Sequence, residues 1–68
     1  MIPENVLNAY QKVKNISILQ SRVSNYEDWQ MLFRYYNENN ANHLGMSCMP
    51  CYSKVLLFVT TKIKQIGV

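Results

Sequence analysis

The side chains most able to do chemistry are His43, Cys48 and Cys51, in the stretch Asn42 to Lys54, NHLGMSCMPCYSK. Two cysteines separated by two residues at the start of a helix could form a redox pair. The first would feel the unpaired amides and the helix dipole, which stabilise a thiolate and make it nucleophilic. The second, one turn on, could resolve a mixed disulfide. The same residues also read as H-x4-C-x2-C, half of a zinc site. A structural zinc takes about four ligands, and the chain has no further cysteine or histidine, so the fourth would come from Asp, Glu, water or another chain. The plainer reading is packing. Free cysteine is among the most buried residue types, and a histidine in an exposed connector is usually solvated.

Cys48-Met49-Pro50-Cys51 resembles the CxPC form of thioredoxin-like oxidoreductases. That motif follows a buried strand in a βαβ framework, and nothing before Cys48 has that pattern. The resemblance covers the tetrapeptide alone, whereas its placement carries the function. A disulfide between residues three apart would close a very short loop and stabilise little. With four acidic residues, one histidine and two glycines, no Ser-His-Asp, paired-carboxylate or phosphate-loop constellation can be assembled, so no enzyme is expected.

The elements that must position these groups read as an all-α, small three-helix bundle, a single domain with helices at about 3–19, 25–38 and 48–65. Pro3 suits a first helical turn, and Val6, Ala9, Tyr10, Val13 and Ile16 then recur at three- and four-residue spacing. Ser24-Asn25-Tyr26-Glu27 matches a capping box. After it, Tyr26, Trp29, Leu32, Phe33 and Tyr36 share one side, with Met31 and Tyr35 towards the outside. Asn39, Asn40 and Asn42 tolerate the left-handed backbone at a helix stop, and Gly45 gives the connector freedom. Ser47 and Pro50 suit the start of the last helix. There Cys48, Tyr52, Val55, Val59, Ile63 and Ile66 line one side and Cys51 sits at its margin. VLLFVTT is also rich in strand-forming residues, but a lone strand would need a partner from another subunit, so helix is preferred.

A chain of 68 residues buries only about 60% of the surface it exposes when unfolded. At 49% hydrophobic and 16% charged it should still fold. Seven Lys or Arg against four Asp or Glu give a net charge of +3, too mild and too dispersed to advertise nucleic acid. The amino end lacks a basic start, continuous apolar run and cleavage site. The longest apolar run, Val55 to Val59, is far short of the roughly 20 residues that span a bilayer. An intracellular protein with reduced cysteines is therefore expected.

So small a chain cannot hide all its aromatics. Met31, Tyr35, Leu57 and Phe58 are the candidate partner-binding residues, apolar groups of the kind enriched at interfaces. A protein partner or self-association is expected, with no cofactor unless zinc sits at His43, Cys48 and Cys51.

Tyr35-Tyr36-Asn37, the polar connector, and Met46-Ser47-Cys48-Met49-Pro50-Cys51-Tyr52-Ser53-Lys54-Val55 together resemble small proteins of tailed phages that infect Bacteroidetes. These carry a "YN" helix end followed by a CxxC turn opening the last helix. The likeness spans roughly residues 29–59. It implies a small helical fold and a viral setting, in which the chain would be a virion component or an inhibitor of a host protein machine, located in the host cytoplasm or the virion.

Overall fold

The computed structural model describes residues 2–67, with side-chain surroundings through residue 65. Every regular element among them is helical: α1 (Glu4–Val13), α2 (Ile18–Ser24), α3 (Tyr26–Glu38) and α4 (Met49–Gly67). The bundle thus has four helices where the periodicity suggests three, and the segment with strand-like composition lies wholly inside α4.

The extra helix arises because the expected first helix breaks after Val13. α1 begins behind Pro3, whose carbonyl accepts from the Leu7 amide at 3.0 Å, and it buries Val6, Ala9 and Val13 on one face. Lys14, Asn15 and Ile16 then turn, and Ser17 starts α2, its hydroxyl accepting from the Gln20 amide at 3.3 Å. Ser17-Ile18-Leu19-Gln20 has the S-x-x-Q form of a capping box, and a serine offering that bond favours a new helix over continuation of the old one.

Asn25 is the elbow between α2 and α3, serving as C-cap of one and N-cap of the other. Its carbonyl accepts from the Trp29 amide at 3.1 Å and its side-chain amide donates to Asp28 Oδ2 at 3.0 Å. The capping box expected at Ser24 does not form. Ser24 is the last residue of α2, and its hydroxyl bonds the Gln20 carbonyl and Asn25 Oδ1.

Helix α3 is the centre of the fold, with α1, α2 and α4 all packed against it. Trp29 and Leu32 are fully buried, and Phe33 and Tyr52 nearly so. The Trp29 and Tyr52 rings meet edge to face at 4.8 Å, and Phe33 and Tyr52 at 4.9 Å, the arrangement that aligns positive ring edges with negative ring faces. Val55 and Val59 of α4 close this layer. Tyr10 joins α1 to α4 through a 2.9 Å bond to Thr60 Oγ1. The Thr60 hydroxyl donates to the Leu56 carbonyl, so Tyr10 is the donor.

The C-terminus of α3 is closed by side chains. Asn39 Nδ2 donates to the Tyr35 carbonyl at 2.8 Å and Asn40 Nδ2 to the Tyr36 carbonyl at 2.9 Å, adding to the Asn39 amide bond that the Tyr36 carbonyl also accepts at 3.1 Å and so satisfying these carbonyls of the last turn. Asn39 has φ −108°, so the asparagine run stops the helix by capping and not by a left-handed turn at that position. Asn37 then holds the connector with both ends of its amide. It donates to the Leu44 carbonyl at 3.0 Å and accepts from the Leu44 amide at 2.8 Å. The asparagine of the "YN" pair is therefore a clamp on the chain leading into α4.

Candidate functional site

Cys48 immediately precedes α4 and Cys51 lies in its first turn. Met46 and Ser47 form the turn before them, with the Cys48 amide bonded to the Gly45 carbonyl and the Cys51 amide to the Cys48 carbonyl, each at 3.2 Å. Tyr52 fixes the same turn from the core side, its hydroxyl donating to the Met46 carbonyl at 2.7 Å. This geometry leaves the two Cα atoms 5.3 Å apart and joins the sulfurs as a disulfide, where composition and compartment suggest two reduced thiols. Burial also reverses the expected order. Cys51 is 5% exposed and belongs to the core, whereas Cys48, placed by periodicity on the core side, is only partly buried.

His43 does not join the cysteines. It lines a groove of about 600 Å³ between α3 and the connector, beside Gln30, Arg34, Asn37 and Glu38. Among the described residues no three His, Cys, Asp or Glu side chains converge as metal ligands. The zinc arrangement of His43, Cys48 and Cys51 is thus not assembled, because both sulfurs are turned to each other and the imidazole belongs to the neighbouring groove.

The residues expected to form a partner surface separate. Tyr35 is buried, its ring 5.9 Å from that of Phe58. Phe58 also meets Tyr36 at 5.1 Å and carries Lys62 Nζ 5.4 Å above its ring, so it is partly covered from both sides. Met31 is partly buried beside Glu27, Gln30 and Arg34. Leu57 alone stands well out, at 67% exposure. Ile66, expected on the apolar side of the last helix, lies outside the described side chains.

A different apolar strip is exposed instead. Leu19 is 66% exposed, Val23 76% and Tyr26 52%. Leu19 and Val23 are i and i+4 on one face of α2, and Tyr26, beyond the Asn25 elbow, stands beside Val23. Val23 and Tyr26 line a groove of about 440 Å³ whose other walls are Arg22, Met46, Ser47 and Tyr52. Tyr26 leaves the core because α3 starts there with a change of direction, so a residue that a straight helix would bury faces outward. Ser17, as the start of α2, sets the phase of Leu19 and Val23, which a helix running through residue 19 hides.

The chain matches no protein-family model, and neither a curated protein nor a solved structure aligns with it.

Proposed function

We propose that this chain is a non-enzymatic docking module, whose α2–α3 elbow receives an apolar segment, carrying a carboxylate, from a different protein. The observation that carries the reading is the exposure of Val23 and Tyr26 on the groove lined by Tyr52, with exposed Leu19 one turn before Val23 on α2. Exposed apolar groups gathered in one place mark interaction sites, whereas scattered ones need no explanation. Arg22 stands in the same groove, and a guanidinium beside an apolar floor selects a partner that offers a carboxylate there. The net charge of +3 disfavours a second copy as occupant, since like-charged molecules repel at long range. The resemblance of residues 29–59 to small tailed-phage proteins supports a viral setting. There, docking of this kind serves a small virion component or an inhibitor of a host protein machine, in the host cytoplasm or the particle.

The test is selection of binding peptides from a random display library, run in parallel on the wild type and on Val23→Glu and Arg22→Ala. Peptides that pair apolar residues with Asp or Glu, and lose at least about tenfold in affinity (1.4 kcal/mol) on both variants, are expected. Enriched peptides indifferent to both changes would sink the reading. So would light scattering that finds a dimer which Val23→Glu dissociates, because the strip would then be a self-contact.

A further inference from the structure

The cysteine pair is not among the residues lining the α2–α3 groove, and its setting points to chemistry of its own. We propose that Cys48 and Cys51 are an exchangeable disulfide–dithiol couple, in which Cys48 is the sulfur that an external thiol attacks. Access distinguishes the two sulfurs. Cys51 is 5% exposed within the core, whereas Cys48 is only partly covered, and which sulfur is attacked depends on access.

The position of Cys48 supplies a second reason, which bears on its expulsion from the mixed disulfide and on its attack in the reverse direction. It immediately precedes a helix of 19 residues with no acidic side chain in its first turn. The helix dipole there favours a thiolate, and no neighbouring carboxylate in that turn opposes it.

A third reason is that the frame does not depend on the bond. The turn is held by main-chain bonds from Cys48 to Gly45 and from Cys51 to Cys48, and by the Tyr52 hydroxyl on the Met46 carbonyl. None of these uses sulfur, so the fold can persist in both redox states.

In the exchange, an external thiolate attacks Cys48 Sγ and forms a mixed disulfide. The Cys48–Cys51 bond breaks, its electron pair leaves on Cys51 Sγ, and that thiolate takes up a proton from water. A second external thiolate then attacks the outer sulfur of the mixed disulfide and expels Cys48 as a thiolate. The external thiols end as a disulfide, and the protein pair has gained their electron pair, with Cys51 protonated from water and Cys48 left as a thiolate. The co-reactant is any small or protein-borne thiol, and the reverse direction needs only the corresponding disulfide.

The experiment treats the oxidised full chain with reduced glutathione, quenches with acid and maps adducts by mass spectrometry. Glutathione on Cys48, with helical circular dichroism unchanged after full reduction, is expected. Absence of any mixed disulfide, an adduct on Cys51 alone, or loss of helix on reduction would each overturn the proposal. A second arm measures the rate at which the single thiols of Cys51→Ser and Cys48→Ser react with a chromogenic aromatic disulfide at pH 7, each relative to its own urea-unfolded form. Cys48 should react about tenfold faster folded than unfolded, and Cys51 slower. A Cys48 rate no faster than its unfolded control would also overturn it. If either variant loses its fold, the wild-type arm still decides.

Discussion

The Trp29 indole donates its Nε1–H to the Ser21 hydroxyl at 2.9 Å, with both residues fully buried. This bond ties α2 to the centre of α3 and satisfies the polar atom of the largest side chain in the core. Ser21 in turn reaches the Ile18 carbonyl at 3.4 Å, so its proton and lone pairs are both used. Removing the serine oxygen leaves a buried N–H with no acceptor, which costs about 1–3 kcal/mol. Ser21→Ala should lower the unfolding free energy measured in urea by that amount. Trp29→Ala should cost about 3–5 kcal/mol, and the double variant should cost clearly less than the sum, because Ser21 is needed only while the indole is present.

The Asn37 clamp on Leu44 is the second target. Losing both bonds exposes no core but frees the connector, so Asn37→Ala should destabilise by about 1–2 kcal/mol. Hydrogen exchange gives the sharper readout. The Leu44 amide should lose its protection while the amides of Val55 and Val59 keep theirs at the reduced global level. A Leu44 amide that exchanges as slowly as before would show that the clamp is not what holds it.

Gly45 offers a test of opposite sign. Its backbone does not lie in the left-handed region, and a Cβ added there would meet the Ser47 hydroxyl oxygen at 3.9 Å, an ordinary contact. Gly45→Ala should therefore stabilise by about 0.4–1 kcal/mol by restricting the unfolded chain. Thermal unfolding that moves downward instead would mean the connector needs the conformational freedom that composition alone suggests.

Ser17 decides the number of helices. Its hydroxyl bond to the Gln20 amide is the local reason that α2 starts where it does. Ser17→Ala should cost about 1 kcal/mol, and the carbon chemical shifts of residues 18–24 should move towards coil. Shifts that instead become helical through residues 14–17 would show that the break after Val13 has another cause.

Leu57 separates packing from docking. It is 67% exposed on α4, away from the residues that line the α2–α3 groove. Leu57→Ser should leave both stability, within about 0.5 kcal/mol, and peptide affinity unchanged. A loss of affinity equal to that of Val23→Glu would move the docking face to α4.

Much of the fold is legible without coordinates because apolar spacing reports one face of a helix directly. Val6, Ala9 and Val13, then Trp29, Leu32 and Phe33, then Tyr52, Val55 and Val59 are inward by period alone, and the structure buries all of them. The all-helical class and the span of α3 follow from the same signal. The break after Val13 was also written locally, in Ser17 and Gln20, but a continuous apolar period across Ile16 masks it.

The candidate surface was not legible, since periodicity states which side of a helix is apolar and not where the next helix lies. Tyr35 is inward because Phe58 of α4 crosses over it, and Tyr26 is outward because the chain bends at Asn25. Those are facts about how helices cross. By itself the sequence determined that the chain buries a helical core around one tryptophan, as burial follows composition and spacing. Only the tertiary structure decided which apolar groups stay exposed and which cysteine is the less buried. Both depend on distances between residues far apart in the chain, which no local pattern encodes.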